Sequence, residues 1–183
     1  MIVPICHYSS TTHLDEDVYD EMRIWRKGLV AMWKAQNMDC VFIEMANNVK
    51  NRGHMFIECI PLPVDIGEMI PIYFKKAIDE AETEWSNNKK LIDLNKKVPK
   101  GFPYFAVDFG LHAGYAHVIE NVDRFPKNFA YEIIGGILDL DFGLSRKKEN
   151  LKGEQLNRNC EHMKELWLPY DWTEKVKKSL ANQ

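Results

Sequence analysis

Residues 54–61 of this 183-residue chain read His-Met-Phe-Ile-Glu-Cys-Ile-Pro, and this run constrains the fold more than any other part of the sequence. Successive side chains of a β-strand point to opposite faces of the sheet. The alternation therefore predicts a strand on which His54, Phe56 and Glu58 lie on one face, while Met55 and Ile57 lie on the other.

The rest of the chain predicts an α+β fold in which helices cover antiparallel sheets. Apolar residues at helical spacing indicate helices, and runs rich in β-branched and aromatic residues indicate strands. Helices are predicted at residues 14–36, from Pro71, from Pro126 and along the stripe from Leu156 to Trp167, and strands at residues 2–5, 40–45, 104–109 and 115–120.

A lysine-rich segment at residues 87–101 divides the chain. It contains few apolar residues and is closed by a proline and a glycine, as expected of an exposed connection. We therefore expect one domain at residues 1–95 and a second domain at residues 96–183.

A strand at residues 2–5 needs a neighbouring strand for its hydrogen bonds, so we also expect this chain to be the C-terminal piece of a longer protein.

Charge and cysteine content limit the function further. The formal net charge is -3, which argues against a protein that binds polyanions through its overall charge, although local basic patches can still bind nucleic acid. The four cysteines show no CxxC spacing and are expected to be reduced and partly buried. They are Cys6, Cys40, Cys59 and Cys160.

Seven runs, taken in order, resemble the C-terminal region of the CwfJ family of spliceosome-associated proteins. The runs are residues 54–63, 71–78, 88–94, 101–110, 114–120, 132–136 and 168–173. In that family a histidine-triad-like domain is followed by a second small α+β domain. The resemblance implies that residues 1–95 form a degenerate histidine-triad-like domain without its N-terminal part, and that residues 96–183 form the family's second C-terminal domain.

The resemblance also implies a function. It suggests a nuclear, RNA-binding pre-mRNA splicing factor that joins the spliceosome late, near the excised intron lariat. The implied partners are spliceosome proteins and either the intron lariat or an snRNA, with lariat debranching enzyme as a further partner.

The three positions 54, 56 and 58 bear on catalysis. In histidine-triad nucleotide hydrolases and transferases all three are histidines on a phosphate-facing surface, and the middle one is the nucleophile. The phenyl ring of Phe56 cannot attack phosphorus, so the resemblance implies a protein that is not an enzyme. The carboxylate of Glu58 either repels phosphate or pairs with a lysine or arginine.

Two other functions stay open. One is a nucleotide hydrolase or transferase whose nucleophile is displaced, with His112 or His117 as the candidate, although both fit structural or surface roles better. The other is an adaptor that binds only proteins.

A structural zinc is a further expectation. Zinc-bearing relatives of the triad proteins use the first triad histidine, a histidine after an Ile-Val-Pro strand and an upstream CxxC. The matching positions are His54 and His7, and the CxxC is absent from this chain. Two imidazoles and two thiolates form a normal tetrahedral zinc site. The alternative is that both histidines are simply hydrogen-bonded near the sheet.

Basic clusters are the candidate RNA contacts, because lysines neutralise phosphates and aromatic rings stack on bases. The predicted residues are Lys75, Lys76, Lys89, Lys90, Lys96, Lys97, Lys100, Arg146, Lys147 and Lys148, with Tyr104 as a stacking aromatic. Phe105 is a candidate for the core instead. Such clusters are also typical of solvated faces.

Overall fold

The computed structural model describes residues 1–47, 49, 53–85, 92–93, 98–140 and 153–181. The helices of this part of the chain are α1 (Glu16–Lys34), α2 (Val64–Trp85), α3 (Phe129–Ile137), α4 (Gly153–Trp167) and α5 (Trp172–Ala181), with 3₁₀ turns at Thr11–His13 and Leu168–Tyr170. The strands are β1 (Met38–Ala46), β2 (Glu58–Pro63), β3 (Ile92–Asp93), β4 (Tyr104–Phe109) and β5 (His112–Val118).

The strands form one antiparallel sheet in the order β2-β1-β4-β5-β3. Strand β1 lies between β2 and β4, so that Ile43 is opposite both Glu58 and Val107. The predicted α+β class with an antiparallel sheet is confirmed. Strands from both sides of residue 95 lie in this sheet, and residues 94–97 are outside the described part of the chain.

Helices pack on both faces of the sheet, because β1 carries apolar side chains on each face. On one face Val41 and Ile43 pack with α2 and α3 in a core that contains the stacked rings of Phe74 and Phe105, 6.1 Å apart. On the other face Phe42 packs with α1 in a second core. Residues from before and after position 95 therefore share a core as well as a sheet.

Helix α2 begins at Val64, so the prediction that it begins near Pro71 was wrong. Pro71 lies inside the helix and cannot donate a hydrogen bond to the carbonyl of Gly67, four residues earlier. Ile70 is completely buried, and its packing stabilises the turn that precedes the proline.

The run at residues 54–58 alternates as predicted, although β2 itself begins at Glu58. Met55 and Ile57 are buried, whereas His54 and Phe56 are exposed. Ile57 exchanges two backbone hydrogen bonds of 2.9 Å with Ile2. The strand predicted at residues 2–5 is therefore a single β-bridge in the structure.

The hairpin between β4 and β5 turns earlier than predicted, at Gly110 and Leu111. Gly110 has a φ of +55°, a conformation that glycine adopts without steric cost. Gly114, predicted to close the turn, lies within β5, where a Cβ atom would meet the carbonyl oxygen of Val107. No helix in the described residues combines the length and the apolar character needed to cross a membrane.

Candidate functional site

The face predicted from residues 54–58 lines a cavity of about 330 Å³. Strand β1 forms another wall, and the start of α3 with the loop before it closes the third side. We call it the Phe56 cavity. The side chains that give it chemical character are those of His54, Phe56, Glu58, Lys127 and Tyr131.

Glu58 is held by a residue that sequence reasoning missed. The hydroxyl of Tyr131, on α3, donates a 2.6 Å hydrogen bond to Oε2 of Glu58. Burial and this bond raise the pKa of Tyr131, so the phenol stays protonated and remains a donor. Pairing with a lysine or arginine was one of two alternatives for Glu58, but among the described residues its partner is this tyrosine.

A second carboxylate, Glu44, is buried in the wall of the cavity. Its Oε1 accepts a 2.8 Å hydrogen bond from the backbone N–H of Thr11, and its Oε2 accepts a 2.7 Å bond from the hydroxyl of Tyr104. Burial raises the pKa of Glu44, and the two hydrogen bonds oppose that rise. The pair joins β1 to β4 beneath the cavity.

The prediction that Tyr104 contacts RNA was wrong. Its side chain is 1% exposed and faces Glu44, so no base can stack on it. Strand β4 lies between β1 and β5 and is covered on both faces, which buries Phe105 as well. Phe102, just before the strand, is exposed.

His7 and His54 lie side by side, with ring centroids 5.2 Å apart. Nε2 of His54 is 2.9 Å from the carbonyl oxygen of Pro4. A carbonyl only accepts hydrogen bonds, so Nε2 carries a proton and donates it, and Nδ1 is the nitrogen left for a metal. Metal-binding histidines commonly donate their second N–H to a backbone carbonyl in this way, so His54 fits the role of a zinc ligand. The described residues contain no group of three or more His, Cys, Asp or Glu that could hold a metal.

The two histidines considered as displaced nucleophiles do not line the Phe56 cavity. His117 is 4% exposed and stacks on Phe125 with ring centroids 5.7 Å apart, and burial lowers its pKa. His112 is exposed at the start of β5. The four cysteines are free thiols, with Cys40 buried and Cys59 partly buried, and Cys6 and Cys160 are exposed.

Three of the predicted basic residues lie in the described part of the chain, and all three are exposed. They are Lys75, Lys76 and Lys100. Lys76 is 3.8 Å from Glu80, an exposed ion pair of little energetic weight. The other predicted basic residues, Lys89, Lys90, Lys96, Lys97, Arg146, Lys147 and Lys148, lie outside it. Lys127, which lines the cavity, was not predicted because a single lysine gives no pattern.

Comparison with known proteins shows similarity along nearly the whole chain. A CWF19-like protein 2 homolog of Caenorhabditis elegans is 56% identical over 97% of this chain and 39% of its own length. Human CWF19-like protein 2 is 49% identical over 94% of this chain and 20% of its own length. Pre-mRNA-splicing factor cwf19 of Schizosaccharomyces pombe is 29% identical over 94% of this chain and 29% of its own length. The chain thus spans well under half the length of each of these relatives.

Two family models match consecutive segments. Residues 1–75 match the model described as a protein similar to the CwfJ C-terminal region, and residues 84–173 match the model described as a protein similar to CwfJ C-terminus 2. Both matches, in this order, show that the chain belongs to the CwfJ family.

Proposed function

We propose that this chain is part of a non-catalytic pre-mRNA splicing factor that works in the nucleus and contacts RNA. The observation that carries the splicing role is the similarity, over 94% of the chain, to a fission-yeast protein named as a pre-mRNA-splicing factor.

The chemistry of the Phe56 cavity supports the non-catalytic part of the proposal. By the resemblance to histidine-triad enzymes, Phe56 stands at the position of their nucleophilic histidine, and a phenyl ring has no lone pair to attack phosphorus. Among the described residues that line the cavity, His54 is the one histidine, and its Nε2–H is engaged by Pro4.

We further propose that the protein acts late in splicing, near the excised intron lariat. Its partners would be spliceosome proteins and either the lariat or an snRNA, with lariat debranching enzyme as a further partner. Membership of the CwfJ family supports this assignment.

Purification of the tagged protein from nuclear extract tests both levels of the proposal. Sequencing of the co-purifying RNA should find excised lariats, and mass spectrometry should find late spliceosome proteins. Recovery of splicing RNA without lariats would refute the late assignment alone. Recovery of an unrelated complex and no splicing RNA would refute the splicing role.

The basic segment around Lys100 is one proposed RNA contact. Replacing Lys96, Lys97 and Lys100 with alanine should weaken RNA binding and lower the slope of log K against log salt by about 0.7 per lysine for single-stranded RNA. A matched variant with alanine at Lys27 and Lys34, exposed on α1, should bind as the unchanged protein does. Equal binding by all three proteins at two salt concentrations would remove this segment from the proposal.

We also propose that His7 and His54 supply two ligands of a structural zinc, with a CxxC outside this chain supplying the other two. Elemental analysis of the full-length protein should find one zinc, which His7→Ala or His54→Ala should remove. His162→Ala, at an exposed position of α4, is the matched control. Unchanged zinc content in both test variants would contradict the proposal.

A further inference from the structure

The Phe56 cavity has the size of a site for one small group. Its volume of about 330 Å³ lies at the lower end of the range of small-molecule sites, about 300–1,000 Å³. Apolar side chains of β1 and of residues 55 and 56 form much of the wall. A flat, partly apolar group of the size of a nucleobase suits such a site.

Two aromatic rings are exposed at this concave surface. Phe56 is 42% exposed and Tyr131 is 43% exposed, and both line the cavity. Aromatic side chains left open in a concave site are the usual platform for an unstacked base of single-stranded RNA. The remaining polar groups then decide which base is preferred.

Glu58 provides acceptors in a fixed position. The hydrogen bond from Tyr131 to Oε2 restrains its carboxylate, and an ionised carboxylate can accept about four hydrogen bonds, so further acceptor capacity remains. Guanine presents two adjacent donors, N1–H and the N2 amino group, which match a carboxylate. Adenine and cytosine present one amino group beside an acceptor nitrogen, and uracil presents one N–H between two carbonyl groups. The carboxylate therefore favours guanine.

The charges set the orientation of such a ligand. Glu58 repels a phosphate inside the cavity, whereas Lys127 is exposed and lines it from the α3 side. A nucleotide is accommodated when the base enters and the phosphate stays outside near Lys127. The same lysine disfavours a cationic side chain, which Glu58 and the aromatic rings would otherwise suit.

We infer that the Phe56 cavity binds a single unstacked guanine base of RNA, with Phe56 and Tyr131 as the aromatic surface, Glu58 as the acceptor for the guanine edge and Lys127 beside the phosphate. This inference rests on the proposed contact with RNA and assigns that contact a chemical specificity.

The test uses the purified 183-residue chain and fluorescein-labelled RNA pentamers UUGUU, UUIUU and UUAUU, with binding followed by fluorescence anisotropy. Inosine keeps N1–H and lacks the N2 amino group, so affinity should fall in the order guanine, inosine, adenine. A bidentate contact to a base edge predicts a preference for guanine over adenine of about 5- to 150-fold.

Substitutions assign the preference to the cavity. Glu58→Gln should abolish the preference for guanine, because the amide presents one acceptor and one donor in place of two acceptors. Lys127→Ala should weaken all three pentamers alike and flatten their salt dependence. Glu68→Gln, the same chemical change at an exposed position of α2, should alter nothing. Urea unfolding of each variant shows whether it is folded.

Several outcomes would overturn the inference. Equal affinity for the three pentamers would do so, as would a guanine preference that survives Glu58→Gln in a folded protein. So would NMR shifts at Phe56 and Tyr131 with an arginine peptide and none with RNA. If splicing RNA still co-purifies from nuclear extract in such a case, the inference fails and the proposed function stands. If no RNA binds in either experiment, both fail.

Discussion

Replacing Tyr104 with phenylalanine tests the buried hydrogen bond beneath the Phe56 cavity. The substitution removes one oxygen atom and leaves the ring in place. Oε2 of Glu44 then loses the donor that lies 2.7 Å away. Tyr104 is 1% exposed and Glu44 is 7% exposed, so water has little room to replace that donor. The cost should therefore appear in the stability of the fold.

The magnitude follows from the buried acceptor that is left without its donor. Removing one partner of a buried hydrogen bond costs about 1–3 kcal/mol, so Tyr104→Phe should lower the free energy of unfolding by about that amount at neutral pH. Burial raises the pKa of Glu44 above its ordinary value of 4.5, and loss of the hydroxyl should raise it further. A group whose pKa is raised on folding stabilises the fold fully at pH values below its pKa in the unfolded state. That stabilisation is lost as the pH rises through its pKa in the folded state. The deficit should therefore be smallest below about pH 4.5 and should grow towards neutral pH.

Urea unfolding at neutral pH and at about pH 4, followed by tryptophan fluorescence, measures this deficit. Tyr19→Phe is the matched control, because Tyr19 is 41% exposed, and it should stay within about 0.5 kcal/mol of the unchanged protein. A deficit below about 0.5 kcal/mol at neutral pH, or one that increases on acidification, would refute this account of the Glu44 site.

Three further predictions each concern the substitution of one residue. Phe56→His should place a nucleophile in the cavity. The unchanged chain lacks that nucleophile and should release no nucleoside monophosphate from adenosine phosphoramidate in a chromatographic assay. Release by the unchanged chain would favour the enzyme alternative. A glutamine at position 44 does not ionise. The unchanged protein should therefore lose stability relative to Glu44→Gln as the pH rises from about 4.5. A stability difference that stays constant with pH in urea unfolding would contradict this prediction. A Cβ at Gly28 would lie 2.6 Å from the indole of Trp167, so Gly28→Ala should cost about 1–3 kcal/mol and shift the tryptophan emission, and an unchanged spectrum would show that this contact is absent.

Local patterns predicted the parts of the site that depend on local geometry. The alternation of residues 54–58 assigns His54, Phe56 and Glu58 to one side whether or not the segment is paired as a regular strand. Burial of Met55 and Ile57 on the other side confirms this assignment. The extended backbone, rather than the ladder of hydrogen bonds, places these three side chains in the cavity.

Long-range pairing decided what the sequence did not predict. Tyr131 meets Glu58 because β1 pairs with both β2 and β4 and α3 packs on the same face, and no spacing within the chain encodes that meeting. Tyr104 stands near a basic segment in sequence and was therefore expected at the surface. Its strand is central in the sheet, and that position buries it.

The cavity depends physically on both segments that match the CwfJ models. Phe56 and Glu58 belong to the segment that spans residues 1–75, while Lys127 and Tyr131 belong to the segment that spans residues 84–173. One sheet and one core join the two segments, and a hydrogen bond from Tyr131 to Glu58 links them at the cavity itself. Separation of the segments would expose the core side of the sheet and leave Phe56 and Glu58 on a different molecule from Lys127 and Tyr131. The site can therefore exist only where the two segments fold together, which gives a physical reason for their occurrence in one chain.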